Sequence, residues 1–328
     1  MHTTHIATEA ARLKPLAEQV MKRYDLEVRD ISHLATHSNV MYRVIARDGR
    51  QMVLRVGTPS ANTRSNLRYE TDWLVALNRD TDLDLVRPLP TASGRFVTDV
   101  TDPLTGHNRP CVLFTWVPGS PVGMGAGTYA YRVIGSMAAQ LQRHGKTWLP
   151  EDPQDLRHWD RVFYYDERQN PLVIFDGRYD HFFRHSRRAV IEKAIPVAEK
   201  VIQDTWASGE PQIVHGDLHE WNVHLVGTRL YAFDFEDVMI ATPAQDVSVC
   251  LYSSRTSPRT DEVRTAFREG FEEHSVWPIQ DDEQLDGLHA ARQIMLMNYA
   301  ARTLSLEEAM TYLDQVFPQL ESYLARYG

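Results

Sequence analysis

Cysteine is nearly absent from this chain: Cys111 and Cys250 are the two thiols among 328 residues. Two thiols cannot supply a disulfide scaffold or the paired spacing of a structural zinc site, so the expected compartment is the reducing cytoplasm. Long apolar runs are missing too. Nothing approaches the roughly 20 apolar residues that span a bilayer, and the stretch up to Tyr24 carries His, Thr, Glu and Lys where a signal peptide would be apolar. Basic charge is in deficit, with 35 Lys and Arg against 44 Asp and Glu and a formal net charge of −9. That balance argues against nucleic acid and an anionic membrane surface as partners. Internal repeats and low-complexity segments are lacking, while 43% hydrophobic and 24% charged residues is an ordinary globular mixture. At roughly 100 to 200 residues per domain, the length suits two domains or an enzyme with two lobes. Oligomeric state is not legible.

What is present changes character along the chain. Leu13, Leu16, Ala17, Val20 and Tyr24 recur at helical spacing. The runs Val40 to Ile45 and Met52 to Val56 flank Arg47-Asp48-Gly49-Arg50 and read as an antiparallel hairpin. A polar loop over 58–65 leads to a helix over Asn66 to Arg79, and strands follow at Arg95 to Val100 and Cys111 to Val117, with Thr101 to Pro110 as the turn between them. Pro118-Gly119-Ser120-Pro121 then breaks the pattern. Beyond it the spacing predicts helices over Tyr131 to Arg143 and Ser186 to Ala207, short strands within Ile213 to Phe235, and about three further helices. The expectation is an α+β protein with a small β-rich lobe over 1–117, a larger helical lobe over 118–328, and a cleft between them.

The informative segment runs from Gln212 to Phe235. Strands Val223 to Val226 and Leu230 to Phe233 flank a Gly-containing turn and can pair as a short hairpin. Counting outward from the turn brings Asn222 opposite Phe233, with Asp234 one step on. A neutral oxygen donor and a carboxylate at one hairpin end suit a hard divalent cation such as Mg2+. Asp217, five residues before Asn222 on the loop leading in, faces the acceptor side in this reading. Phosphoryl transfer needs this division of labour: one aspartate to orient and deprotonate a hydroxyl, and an Asn and an Asp to hold metal on nucleotide phosphates.

These residues carry a resemblance. His215-Gly216-Asp217, four intervening positions, Asn222, then Phe233-Asp234-Phe235 look like the aminoglycoside phosphotransferase and choline kinase family, relatives of the protein kinases. The resemblance implies a two-lobed kinase-like fold, ATP and Mg2+ as cofactors, and a hydroxyl-bearing small molecule or a protein Ser/Thr as acceptor. Asp217 is then the catalytic base, with Asn222 and Asp234 on the metal. Asp237 and Thr242-Pro243-Ala244-Gln245-Asp246-Val247 look like the stretch after the metal aspartate in the subgroup containing the bacterial stress-response kinases. By that likeness Asp246 braces the catalytic loop, Asp237 assists the metal or faces the acceptor, and the acceptor tilts toward a protein or a stress-linked compound.

The first lobe can be read on its own. Glu70 shares a helix face with Leu67, Leu74 and Leu77, so it points inward and needs a cationic partner. Arg55, near the end of a strand, is the candidate, and the pair copies the ion pair that positions nucleotide phosphates in kinases. Two departures stand out: arginine occupies a position where the family often has lysine, and His37-Ser38-Asn39-Val40-Met41-Tyr42 contains no glycine. Ser38 and Asn39 are expected to offer donors to phosphate instead. Phe114-Thr115-Trp116-Val117 sits where the connector between lobes would face adenine, which nominates Thr115 and Val117.

Other readings compete. Arg55 in place of lysine and the absent glycine-rich loop suit a nucleotide-binding or interaction protein that has lost catalysis. His215, His219 and His224 with Asp217 suit a metal-dependent hydrolase, although His215 also reads as a structural histidine of the loop. The acidic positions Glu272, Glu273, Asp281, Asp282, Glu283 and Asp286 read as a solvated face or as a site for a cationic acceptor, and Tyr252, Tyr299 and Arg302 fall in the variable acceptor region.

Overall fold

The computed structural model describes residues 2–36, 38–58, 63–168 and 170–328. His37 and residues 59–62 of the expected polar loop lie outside the described residues. In chain order the elements are α1 (His2–Met21), β1 (Val28–Thr36), β2 (Asn39–Ala46), β3 (Gln51–Gly57), α2 (Arg64–Asp80), β4 (Pro88–Leu89), β5 (Val97–Thr101), β6 (Asn108–Thr115), β7 (Ser120–Pro121), α3 (Thr128–Gly145) and α4 (His185–Ser208). They continue with β8 (Gln212–Val214), β9 (Val223–Val226), β10 (Arg229–Ala232), β11 (Met239–Ala241), α5 (Pro243–Tyr252), α6 (Thr260–Glu272), α7 (Asp282–Thr303) and α8 (Leu306–Tyr327). This is a mixed α+β fold with its main sheet early and its helices late. The chain forms two compact units, one made of Met1–Gly123, Trp148–Leu156 and Trp221–Val238, the other of Met124–Thr147, Arg157–Glu220 and Met239–Gly328.

The first unit is built on an antiparallel sheet ordered β1-β2-β3-β6-β4, with β5 also paired to β6. Alternation along β2 and β3 buries Val40, Tyr42, Val44, Met52, Leu54 and Val56 on one face, against Leu13, Ala17 and Val20 of α1. Arg55 is out of phase with that set and points to the opposite face, where it meets α2. That helix begins at Thr63, whose hydroxyl accepts from the Asn66 N–H in a reciprocal cap, and it buries Leu67, Trp73, Leu74 and Leu77. The expected turn over Thr101 to Pro110 is shorter, because β6 already starts at Asn108. Pro110 lies inside β6, opposite Asp99 of β5. It is tolerated in the strand because it lies just past the last pairing with β3, Val56 with Cys111.

In the second unit α3 and α6 touch backbone to backbone. A Cβ at Gly135 would sit 2.0 Å from the Phe267 carbonyl oxygen, and one at Gly270 would sit 1.8 Å from that of Arg132, so neither position admits a side chain. A short ladder pairs β8 with β11, Val214 opposite Met239, and so fixes both the loop that leaves β8 and the approach to α5. Thr242 caps α5 through the Gln245 N–H, with Pro243 in the first turn. Four α-helices, α5 to α8, follow Phe235. Among the described residues no helix is long and apolar enough to cross a membrane.

Candidate active site

The β9–β10 hairpin closes with Val223 opposite Ala232, and the Phe233 N–H donates to the Asn222 carbonyl at 3.1 Å. Asn222 therefore faces Phe233 across the hairpin end, as counting from the turn predicts. The next residue, Asp234, has φ 65°, the one positive φ outside glycine among the described residues. Phe235 is fully buried and meets Trp73 of α2 edge-on, with ring centroids 5.6 Å apart. This anchor fixes the carboxylates on either side of it, Asp234 and Glu236. Asn222 and Asp234 offer oxygen donors only, and hard Mg2+ is commonly held by one or two such side chains with phosphates completing its shell, so the pair fits that ion.

Arg55 and Glu70 form the expected ion pair. Both are buried, at 3% and 1% exposure, and the guanidinium also lies 5.1 Å over the Phe114 ring. Burial opposes the arginine's charge, but Glu70 and Glu236 beside it raise its pKa beyond the ordinary value. Glu236 is the residue that sequence reasoning did not reach. It accepts from Arg55 Nη1 at 3.4 Å and from Asn39 Nδ2 at 2.7 Å, tying two of the three nominated phosphate ligands to one carboxylate. The available signal was the glutamate standing in place of glycine after Asp234-Phe235, together with arginine in place of lysine.

In the second unit Asp217 receives a hydrogen bond from Arg292 Nη2 and lies 3.3 Å from His219 Nε2. Burial would push its carboxyl up, yet His219 and Arg292 hold it well below the carboxylate range. His219 responds in the opposite sense: burial works against its charge, and Asp217 overcomes this and raises its pKa. The loop is fixed from behind. Gly216 N–H donates to Asp246 Oδ1 at 3.0 Å, Gln142 Nε2 donates to Asp246 Oδ2 at 2.9 Å, and Asp217 N–H donates to His215 Nδ1 at 3.2 Å. Asp246 is buried and its pKa is raised, since burial outweighs these donors. Sequence reasoning missed Arg292, which sits in a buried helix whose pattern carries no sign of a partner elsewhere in the chain.

The remaining nominated residues are distributed as follows. The Ser38 carbonyl accepts from the Thr58 hydroxyl at 2.6 Å. The Thr115 and Trp116 N–H groups donate to the carbonyls of Arg87 and Gln51, and the Thr115 hydroxyl accepts from the Arg87 N–H, which narrows what this segment can offer a nucleobase to Val117 and its carbonyls. Asp237 is half-buried. The three histidines play separate parts: His224 contacts the Pro118 carbonyl and the edge of Phe233, and among the described residues no three or more His, Cys, Asp or Glu side chains gather as a metal-binding group. On the acidic stretch Glu272, Glu273, Asp282 and Asp286 pair with Arg268, Arg132, Arg264 and Arg326, and Asp281 caps α7, as on a solvated face.

Comparison with known proteins agrees with this architecture. The chain is 21% identical over 267 residues to an amicoumacin kinase of Bacillus subtilis (strain 168), covering 80% of this chain and 75% of that protein. Among solved structures, the amicoumacin kinase hAmiN in complex with AMP-PNP, Ca2+ and Ami superposes with a TM-score of 0.79 at 17% identity, covering 99% of this chain and 96% of the other. A microcompartment-associated aminopropanol kinase gives 0.78 at 22% identity, covering 96% and 98%. These likenesses establish a kinase-like fold. The model of the phosphotransferase enzyme family matches residues 30–288, most of the chain, and the protein is therefore an enzyme of that family.

Proposed function

We propose that this enzyme transfers the γ-phosphoryl group of ATP to a hydroxyl of a small molecule. Asp217 orients the acceptor hydroxyl and takes its proton, Asn222 and Asp234 hold Mg2+, and Arg55, set by Glu70, positions the phosphates with Asn39 and Ser38 beside it. Thr115 and Val117 border the base. The observation that carries this reading is the state of Asp217: a carboxylate kept ionised by His219 and Arg292, on a loop that Asp246 braces. An aspartate this acidic accepts a hydrogen bond from a hydroxyl at any physiological pH. It takes the proton late, once bond formation to phosphorus has made that hydroxyl acidic. Mg2+, when bound, would draw charge off the phosphates as it develops.

Relatives named for amicoumacin and aminopropanol support a small-molecule acceptor over a protein one. The test is Asp217→Asn. With Mg2+ and ATP, ADP release across a panel of hydroxyl compounds should fall by about 10²- to 10⁴-fold, while thermal stabilisation by Mg-ATP persists. Undiminished turnover would remove Asp217 from this role. One observation favours a second reading, in which the protein binds nucleotide without turning it over: Glu236 already occupies an arm of Arg55. Stabilisation by Mg-ATP with no ADP release from the wild type would select it.

A further inference from the structure

Three of the protein's buried arginines face carboxylates: Arg55 faces Glu70 and Glu236, Arg109 faces Asp102, and Arg292 faces Asp217. Arg255 has no such partner among the described residues. It stands in the turn of 3-10 helix over Ser253–Thr256, between α5 and α6, and is half-buried. Its Nη1 donates to the Tyr252 carbonyl at 2.7 Å and its Nη2 to Gln293 Oε1 at 3.2 Å, both neutral acceptors. The guanidinium carbon lies 3.5 Å from the centre of the Tyr252 ring, and Nε has no hydrogen-bond partner among the described residues. Burial and then repulsion from Arg292 push its pKa down, against the neighbouring Tyr252 and Tyr312, as expected of a cation without a counter-ion.

The same ring connects Arg255 to the chemistry. Arg292 lies 5.7 Å from the centre of Tyr252 and is the residue that donates to Asp217. His289, on the same helix as Arg292, does not redress the balance: burial, with Arg255, Arg292 and Arg264 nearby, pushes its pKa down to about 3, so it is neutral, with Nε2 3.0 Å from the Ser248 carbonyl. The neighbourhood thus holds two guanidinium groups and a neutral histidine; its carboxylates, Asp217 and the buried Asp246, act on Arg292, and neither forms an ion pair with Arg255. A guanidinium drawn from water without a counter-charge is unfavourable, and its planar fork matches carboxylate and phosphate oxygens.

We propose that Arg255, with Arg292 and Tyr252, forms a subsite for an anionic group of the phosphoryl acceptor, which is therefore a hydroxy compound bearing a carboxylate or a phosphate. This deepens the function proposed above and rests on Asp217 receiving the acceptor hydroxyl. The acceptor class differs from aminopropanol, the compound named for one similar kinase, which bears no acid group.

Matched pairs of acceptors test the subsite on the full chain with Mg2+ and ATP. L-Threonine against 1-amino-2-propanol, and L-homoserine against 3-amino-1-propanol, differ by one carboxylate; glycerol 3-phosphate against glycerol differs by one phosphate. The charged member of at least one pair should show a kcat/KM higher by about tenfold or more, the size of a lost hydrogen bond to a charged group. The type of pair tells carboxylate from phosphate. Arg255→Leu should bring that ratio to within about threefold, through KM more than kcat, and Arg255→Lys should restore part of it. If turnover is too slow in every pair, thermal shifts with Mg2+ and AMP-PNP replace it, and the charged member should stabilise the wild type more than Arg255→Leu. Equal values within every pair, or a preference that survives Arg255→Leu, would overturn the subsite. ADP release by the wild type with uncharged hydroxyl compounds is read in parallel: its presence leaves the kinase reading standing whatever the pairs show, and its absence with every acceptor removes that reading first.

Discussion

Arg55 and Arg255 are alike in one respect and opposite in another. Each guanidinium lies over an aromatic ring, 5.1 Å from the centre of Phe114 and 3.5 Å from that of Tyr252. Arg55 is met by two carboxylates of its own unit, whereas Arg255 is met by a carbonyl and an amide. The first unit therefore neutralises its buried cation internally, and under the proposed function an incoming phosphate would have to compete with Glu236. The second unit leaves a cation for something else to neutralise. A guanidinium over a ring is thus met by acids in one place and by neutral acceptors in another, and counting arginines does not separate the two. The partners do.

Stability measurements can break this contrast. Glu70→Ala strands Arg55 with a weaker partner and should lower unfolding free energy by about 3–5 kcal/mol, the usual effect of removing one member of a buried pair. Arg255→Leu removes a cation that has no acid to strand and should stay within about 1 kcal/mol of wild type. Urea midpoints at fixed m-value compare them, and equal losses would erase the distinction.

A smaller effect sharpens the competition on Arg55. Glu236→Gln keeps the side chain's shape but removes the charge that rivals phosphate. It should lower the KM for ATP severalfold with kcat nearly unchanged, by about 1 kcal/mol of relieved competition. A raised KM would instead make Glu236 a support for nucleotide binding.

The smallest effect concerns the balance around Asp217. Because the folded-state pKa of His219 is raised, its charge stabilises the fold fully below about pH 6.5, and this contribution is lost as pH rises through the raised value. The pKa of Asp217 is lowered, so its contribution is present above about pH 4 and is lost on further acidification. The pair is strongest between those limits. Above them, loss of the His219 proton weakens the hold on the Asp217 charge and makes it a better proton acceptor, while Glu220 also acts on the imidazole. Turnover should therefore rise through a pKa above 6.5, and that limb should vanish in His219→Gln; a limb unchanged by the substitution would assign it to another group.

Much of this was legible in the sequence. The β2–β3 hairpin, α2 and the meeting of Arg55 with Glu70 all follow from periodicity and from the need of an inward-facing carboxylate for a cation. The opposition of Asn222 to Phe233 follows from counting along a two-strand ladder. Each of these is local, or is forced by one strong physical demand. The contacts of Glu236 and Arg292 are neither: Glu236 joins residues 181 and 197 positions away, and Arg292 joins one 75 positions away. On a helix as buried as α7, an apolar periodicity does not mark which polar side chain has a distant partner. Nor can composition express a unit assembled from three separate stretches of chain.

Asp234 adopts a left-handed backbone that glycine would occupy with about 1 kcal/mol less strain. Selection for heat resistance alone would thus favour a replacement that discards the carboxylate. A laboratory lineage evolved for robustness without an activity screen would be drawn toward a sturdier and silent protein, beginning at this position.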